Sequence, residues 1–180
     1  MAGPLVAIVG ETGSGKSELA IKIAKDYGGE IVCADAWTIR KGMDIGTAKP
    51  SIDDQKAVPH HLLDLVSPDQ SFSVAQFQKQ ANVVIRSIHK RHKIPILVGG
   101  SGLYVDSVLY DYSFLTTDSK YSRDELNNKE LVELKLIADQ EQINTDGVDG
   151  SNKRRLVRLI ETKGEIPKKK PLRNGSVILG

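Results

Sequence analysis

A glycine-rich segment near the N-terminus most constrains what this chain can fold into. Residues Gly10 to Ser17 read Gly-Glu-Thr-Gly-Ser-Gly-Lys-Ser and fit the pattern G-x-x-x-x-G-K-[ST] at every fixed position. Residues 5–9, just before it, are apolar and rich in β-branched side chains, which is typical of a buried strand. After it, Leu19, Ile23 and Tyr27 recur at helical spacing. The sequence therefore predicts a strand, a glycine-rich turn and a helix, in that order.

This arrangement indicates a phosphate-binding loop, or P-loop. Glycines allow the backbone to turn tightly and to bring its N–H groups close to phosphate oxygens. The N-terminus of the following helix adds unpaired donors and a partial positive charge. Lys16 supplies a cation for the terminal phosphates, and Ser17 supplies a hydroxyl for Mg²⁺. The pattern leaves open whether the ligand is ATP, GTP or another diphosphate. The predicted diphosphate ligands in this loop are Gly10, Thr12, Gly13, Ser14, Gly15, Lys16 and Ser17.

Composition sets wide bounds on the class of protein. The 180 residues suffice for one α/β domain with a small appendage, and a net charge of +2 provides no strong overall field for nucleic acid. The single cysteine, Cys33, excludes an intramolecular disulfide and a cysteine-based zinc site, and it suits a reducing cytosol. No apolar run reaches membrane-spanning length, and no signal segment precedes the first strand. We therefore expect a cytoplasmic, monomeric protein without a membrane partner.

Asp35 follows a second short apolar segment, residues 30–34, which we expect to be a strand. In open α/β sheets, ligands bind at the carboxyl ends of the strands. A carboxylate at that edge could be a metal ligand, a general base or a helix cap, and position alone does not choose among these roles.

A loop without clear periodicity, residues 36–50, comes next and contains the sole tryptophan, Trp37. Long loops in compact domains are usually functional or disordered. Two interpretations of Trp37 stay open, because its ring could pack in a core or offer a surface on which a nucleic-acid base stacks.

Adjacent histidines, His60 and His61, invite a metal hypothesis. Neighbouring residues on an extended chain point to opposite faces, so this pair makes a poor chelate. We favour histidines held by structural hydrogen bonds, in a connection that leads into a third strand.

The middle of the chain predicts a helix, a strand and a second glycine-rich turn. Ser73 followed by Gln76 resembles a capping box, which predicts a helix start. Residues 94–98 are apolar throughout, which predicts a central strand. Ser101 then lies in a turn that begins another helix, and its hydroxyl could cap that helix or point at a ligand.

The composition of the chain changes near residue 110. Residues 111–150 are polar with two short stretches that we expect to be helical, 123–128 and 130–139, and we expect a helical insertion over the cleft. Residues 151–161 predict an amphipathic helix on which Arg154 and Arg158 share one side. Such arginines could stabilise a leaving phosphate or be solvated surface residues. We therefore predict a P-loop NTPase-like three-layer α/β domain with a mainly parallel sheet, formed by residues 1–110 and 151–180, plus the insertion.

The motifs taken together resemble the tRNA dimethylallyltransferases, also called tRNA isopentenyltransferases. Two long strings are the most specific: Gly42-Met-Asp-Ile-Gly-Thr-Ala-Lys-Pro50, which follows Ala34-Asp35, and Val58-Pro-His-His-Leu-Leu-Asp64. The glycine-rich loop, the segment Ile96–Tyr104 and, more weakly, the helix Arg154–Glu161 also match. The likeness runs from about residue 5 to residue 110 and resumes near residue 152.

The resemblance implies a reaction and roles for particular residues. The loop would bind the diphosphate of dimethylallyl diphosphate with Mg²⁺, and the adenosine 3′-adjacent to the tRNA anticodon would be flipped into a channel. Asp35 resembles the general base for the adenine amine, and Ser101 stands where the family usually has threonine. Arg158 resembles a diphosphate ligand. The implied contacts to the tRNA anticodon stem-loop are Asp35, Ala36, Trp37, Thr38, Ser101, Arg154 and Arg155.

The chain also departs from the family pattern. After Asp35 the family usually has Ser-Met-Gln, where this chain has Ala36, Trp37 and Thr38, and in the loop Glu11 and Gly13 replace the usual proline and alanine. Family members continue past the final strand with helices that help to grip tRNA, whereas this chain stops at Gly180.

Three competing functions remain at the level of sequence. A small-molecule kinase would place a hydroxyl acceptor where we place adenine, although the Gly42–Pro50 string argues against it. The chain could also be a non-catalytic nucleotide-binding fragment. A prenyltransferase acting on free adenine nucleotides would share the chemistry.

Overall fold

The computed structural model describes residues 3–47, 49–115, 119–166 and 168–180. The chain divides into two compact units. The first comprises Met1–Tyr112 and Lys169–Gly180, and the second comprises Ser113–Lys168. We call them the sheet unit and the helical unit and describe each by itself.

The sheet unit contains a five-stranded, all-parallel sheet in the order β3-β2-β4-β1-β5. β4 pairs with β1 and β2 and is therefore interior, which confirms the prediction made from its apolar sequence. The histidine pair, expected to lead into a strand, is itself the short strand β3. The strands are β1 (Val6–Val9), β2 (Gly29–Cys33), β3 (His60–His61), β4 (Ile94–Gly99) and β5 (Val177–Leu179).

Helices cover both faces of this sheet, which confirms the three-layer α/β fold. Alternate residues along the strands face opposite sides. Ile31 and Ile96 belong to the buried cluster beneath the first helix, whereas Val32 and Leu97 belong to the cluster beneath the third and fourth. The helices are α1 (Lys16–Tyr27), α2 (Ile52–Ala57), α3 (Val74–Lys90) and α4 (Gly102–Leu109).

The start of α3 shows how the sequence sets a helix boundary. The Ser73 hydroxyl accepts a hydrogen bond from the Gln76 N–H at 3.2 Å, and the Ser73 N–H donates to Gln76 Oε1 at 2.8 Å. The predicted capping box is confirmed, because both unpaired donors find a partner. Inside the same helix, Phe77 is fully buried and its ring stacks on Tyr104 of α4 with centroids 4.4 Å apart.

The end of β4 requires glycine. A Cβ atom on Gly99 would lie 2.0 Å from the carbonyl oxygen of Ala34, which follows β2. We expect Gly99→Ala to lower the free energy of unfolding by about 3 kcal/mol or more, because only a shift of two interior strands relieves that overlap. Urea unfolding measures the loss.

Gly102→Ala is the matched control for Gly99→Ala. A Cβ on Gly102 meets no atom within 4 Å, so its unfolding free energy should stay within about 1 kcal/mol of the original. Equal effects of the two substitutions would show that the close approach at Gly99 does not limit stability.

In the described residues of the helical unit, three helices surround a small apolar core. They are α5 (Arg123–Asn127), α6 (Leu131–Gln140) and α7 (Lys153–Glu161). The buried core includes Leu126, Leu134, Ile137, Leu156 and Ile160, so each helix contributes to it.

The position of α7 corrects the domain boundary expected from the sequence. Residues 151–168 were expected with the sheet, but they belong to the helical unit. The physical reason is that the apolar face of α7, including Leu156 and Ile160, is buried in one cluster with Leu134 and Ile137 of α6. The two stretches expected to be helical, 123–128 and 130–139, form α5 and α6 with boundaries shifted by one residue.

Candidate functional site

Three chain segments meet at the carboxyl edge of the sheet. The glycine-rich loop follows β1, Asp35 comes two residues after β2, and Ser101 comes two residues after β4. The N–H of Ala36 donates a hydrogen bond to Ser101 Oγ at 2.9 Å, which joins the ends of β2 and β4. Parallel strands bring their carboxyl ends to one edge, so sequence-distant residues converge there.

The glycine-rich loop has the backbone that its sequence predicts. Gly13 and Gly15 have φ values of 85° and 82°, in the left-handed region that favours glycine. Gly15 is the residue before α1, and within the part of the chain that the structure describes no side chain caps that helix. The Lys16 ammonium donates to the carbonyl oxygen of Glu11 at 2.8 Å, so it lies over the loop. The N-terminal end of α1 is therefore free of a side-chain cap where an anion would bind.

The Asp35 carboxylate is oriented by its own turn. Its Oδ1 accepts a hydrogen bond from the N–H of Trp37 at 2.8 Å and a longer one from that of Thr38 at 3.4 Å. Of the three roles left open by the sequence, capping therefore applies, but to a turn and not to a helix. The same side chain lines a pocket with Lys16 and Ser17. The roles of base and metal ligand remain predictions, since the carboxylate lies where either would operate.

The pocket combines polar groups with an apolar side. Ile31, Val98 and Ala20 provide the apolar side, between the sheet and α1. The full lining is Thr12, Lys16, Ser17, Ala20, Ile31, Cys33, Asp35, Thr38, Thr47, Pro50, His60, Val98 and Gly99. Such a pocket can hold a charged group beside an apolar one.

Thr47 and Pro50 line the pocket but were not singled out from the sequence, and His60, which also lines it, was singled out there only as a structural histidine. All three belong to the two strings that carry most of the resemblance, Gly42–Pro50 and Val58–Asp64. The specificity of these strings to the family could have indicated that their residues line the site. The packing of a regular helix or strand does not explain why a string without periodicity would be specific to a family.

The two histidines have different surroundings. His60 Nδ1 lies 2.8 Å from the carbonyl oxygen of Val58, and because that oxygen only accepts, Nδ1 carries the hydrogen. Burial lowers the pKa of His60, so its ring in the pocket is neutral at physiological pH. His61 Nε2 instead lies 2.7 Å from Glu30 Oε2. The interpretation as hydrogen-bonded structural histidines agrees with these partners.

Glu30 and Cys33 are buried groups of β2. The Arg91 guanidinium, aided by His61, holds the pKa of the Glu30 carboxyl below its usual range, so Glu30 is an anion that fixes both partners. Burial, with a smaller contribution from the charge of Asp35, raises the pKa of the Cys33 thiol to about 12. Cys33 therefore lines the pocket as a neutral thiol.

The residues after Asp35 differ in exposure. Trp37 is 58% exposed, so the interpretation as a core residue is wrong and the stacking surface remains a prediction. Thr38 is buried and lines the pocket, and Ala36 packs against the cluster beneath α3 and α4. Contact of these three residues with tRNA stays a prediction.

The arginines of α7 lie in the helical unit. Arg158 donates to the carbonyl oxygen of Leu115 at 2.9 Å and to Glu161 Oε2 at 3.2 Å. The hydrogen bond from Arg123, and then that from Arg158, lowers the pKa of the buried Glu161. Arg154 and Arg155 are exposed. Their roles toward tRNA, and that of Arg158 toward diphosphate, remain predictions.

The strand, glycine-rich loop and helix at the edge of an all-parallel sheet define a P-loop NTPase-like α/β protein. A model of the IPP transferase family matches residues 38–173. The chain is 40% identical over 163 residues to the tRNA dimethylallyltransferase of Pelotomaculum thermopropionicum, covering 88% of this chain and 52% of that protein. It is 50% identical over 114 residues to the enzyme of the same name from Thermoanaerobacter sp., covering 63% and 36%. This chain belongs to the IPP transferase family.

Solved structures agree with this assignment. The tRNA isopentenylpyrophosphate transferase of Bacillus halodurans is 38% identical with a TM-score of 0.60, covering 88% of this chain and 54% of that one. A eukaryotic dimethylallyltransferase acting on tRNA has a TM-score of 0.80 at 24% identity, which shows the shared fold. The chain spans about half the length, or less, of the curated relatives it matches. Among the described residues, no helix is long and apolar enough to cross a membrane.

Proposed function

We propose that this chain carries the donor-binding and base-binding part of a tRNA dimethylallyltransferase. The dimethylallyl group would pass from dimethylallyl diphosphate to the exocyclic amine of the adenosine 3′-adjacent to the anticodon, with release of diphosphate. The observation that carries this proposal is the shared pocket, in which the Asp35 carboxylate, Lys16 and Ser17 line one cavity with an apolar side. Family membership supports it.

The donor would bind with its diphosphate on the glycine-rich loop. Lys16 and the backbone N–H groups at the start of α1 would hold the diphosphate oxygens. In the transfer, the adenine nitrogen forms a bond to the allylic carbon while the bond from that carbon to the diphosphate oxygen breaks. Negative charge grows on the leaving diphosphate, so donors fixed at this position stabilise the transition state more than the ground state.

The acceptor would be oriented by Asp35 and Ser101. The Asp35 carboxylate, already held by its turn, would accept a hydrogen bond from the amine and take its proton as the new bond forms. Ser101 Oγ accepts the Ala36 N–H, and its own hydrogen can be donated to the base. The exposed Trp37 ring would offer a stacking surface to a base near the pocket.

Mg²⁺ is the divalent cation that we propose for this site. Hydroxyl and carboxylate oxygens are the ligands it prefers, and the Ser17 hydroxyl and the Asp35 carboxylate both line the pocket. When bound, the cation would neutralise part of the diphosphate charge. We further propose that Arg158 binds diphosphate, that Arg154 and Arg155 bind the tRNA backbone, and that the protein acts as a monomer in the cytoplasm.

Labelled dimethylallyl diphosphate tests the proposed function. We expect label in tRNA that carries adenosine 3′-adjacent to the anticodon, and none in the same tRNA with guanosine there, because guanine has an oxo group at C6 where adenine has the acceptor amine. Label in AMP instead would favour the enzyme class that acts on free nucleotides. Phosphoryl transfer from ATP to a small hydroxyl compound would favour a kinase. Binding of both substrates without any product would contradict the proposed activity for this chain.

A further inference from the structure

The side chain of Lys49 lies at the junction of three loop segments. Its ammonium donates to Asp44 Oδ1 at 2.6 Å, to Asp64 Oδ1 at 2.8 Å and to the carbonyl oxygen of Arg40 at 3.1 Å. An ammonium has three hydrogens, and these contacts use all of them.

Lys49 has a buried side chain, whereas its two carboxylate partners are exposed. Its side chain is only 5% exposed, whereas those of Asp44 and Asp64 are 67% and 45% exposed. Burial by itself lowers the pKa of Lys49, but the hydrogen bonds that the ammonium donates to the two carboxylates outweigh this effect and hold the pKa above the ordinary value. The lysine therefore stays charged, and its removal would leave two carboxylates facing each other without a cation.

One side of this junction leads to the turn that orients Asp35. The N–H of Asp64 donates to the carbonyl oxygen of Thr38 at 3.3 Å, and the N–H of Leu65 donates to that of Ile39 at 2.7 Å. The N–H of Thr38 in turn donates to the Asp35 carboxylate. Asp64 has a positive φ of 52°, a conformation that tertiary contacts must maintain in a non-glycine residue.

The other side of the junction leads to the wall of the pocket. Thr47 and Pro50 flank Lys49 in the sequence and line the same cavity as Asp35. The Thr47 hydroxyl donates to the carbonyl oxygen of Met43 at 2.6 Å, which closes this part of the loop on itself. Lys49 itself is not part of the lining.

We propose that Lys49 is a positioning residue, which holds the wall formed by Thr47 and Pro50 against the turn that carries Asp35. The expected effect of Lys49 on prenyl transfer rests on the proposed function. Its effect on the order of the loop does not depend on which reaction the pocket performs.

Lys49→Met tests the role, because methionine keeps an unbranched stem and removes the charge. Two readouts follow the loop directly: acrylamide quenching of Trp37, the sole tryptophan, and tryptic cleavage after the exposed Lys41. Trypsin does not cleave the Lys49–Pro50 bond because of the proline, so Lys49→Met does not eliminate a tryptic cleavage site. Cleavage after Lys22 in α1 reports global unfolding and serves as the internal reference.

In Lys49→Met we expect the loop that contains Lys41 to become more accessible to trypsin, while the affinity of the glycine-rich loop for pyrophosphate is retained. Relative to cleavage after Lys22, cleavage after Lys41 should accelerate by about fivefold or more, and Trp37 should become more accessible to the quencher. Affinity for inorganic pyrophosphate should stay within about threefold, because Lys49 has no contact with the glycine-rich loop among its hydrogen bonds. Single-turnover prenyl transfer should fall by about tenfold or more, since small misplacements of reacting groups are costly.

Lys56→Met is the matched control, since Lys56 pairs with Asp53 on the exposed surface of α2, with side chains 72% and 93% exposed. It should match the original chain in every measurement. Unchanged cleavage and quenching in Lys49→Met would overturn the proposal, and so would a loosened loop with an unchanged transfer rate. If the original chain transfers no prenyl group, the proposed function fails, and the loop measurements alone decide the role of Lys49.

Discussion

Replacing Asp35 by asparagine should reduce single-turnover prenyl transfer by about a hundredfold or more, the usual scale for removing a positioned base. Asparagine keeps a side-chain oxygen that can accept the hydrogen bonds from Trp37 and Thr38, so the turn should survive the change. Only the negative charge and the capacity to take a proton are lost. Rapid-quench measurement with saturating donor and tRNA isolates this step.

Binding measurements on the same variant separate the two roles left for Asp35. If the carboxylate acts on the adenine amine, affinity for dimethylallyl diphosphate with Mg²⁺ should be unchanged in calorimetric titration. A drop in that affinity together with the rate would assign Asp35 to the metal instead. Asp69→Asn, an exposed substitution in a loop, is the control for a general effect of lost charge. An unchanged transfer rate in Asp35→Asn would refute both roles.

Replacing Lys16 by alanine should weaken binding of dimethylallyl diphosphate by roughly a hundredfold or more, as expected when a close charged contact to an anion is removed. The fold should be retained, because the Lys16 side chain is only half-buried and its hydrogen bond goes to the carbonyl of Glu11 within the loop. Calorimetry gives the affinity, and thermal unfolding checks the fold.

Lys22→Ala is the matched control for Lys16→Ala. Lys22 is an exposed lysine on the same helix, two turns further along, and its removal should leave the affinity unchanged. Equal affinities in the two variants would show that the glycine-rich loop does not bind the diphosphate. That result would contradict the basis of the proposed reaction.

The sequence predicted the backbone of the glycine-rich loop, the strands and the helix starts because short-range physics determines them. Residues within a few positions of one another determine a capping box, a β-branched strand or a turn at a glycine with positive φ. Ser73 and Gly15 are examples. Asp35 and Ser101 were also predictable, because parallel strands bring their carboxyl ends to a common edge.

The parts that the sequence did not predict depend on long-range packing. The helix α7 joins the helical unit because its apolar face fits Leu134 and Ile137, and an amphipathic pattern does not name its partner. The pocket wall formed by Thr47 and Pro50 arises from an aperiodic loop. Trp37 was ambiguous for a related reason, since one aromatic residue in a loop carries no periodicity to indicate burial.

The order of strands in the sheet has a consequence for how the molecule can fold. β1, which leads into the phosphate loop, pairs on one side with β4 and on the other with β5, so that Val6 lies opposite Val177. That contact closes a loop of nearly the whole chain, and contacts of such long sequence separation slow the search for the native state. During synthesis β1 stays an edge strand until the residues of β5 have emerged. The strand that leads into the glycine-rich loop thus becomes interior at a late step, after residues 113–168 have been made.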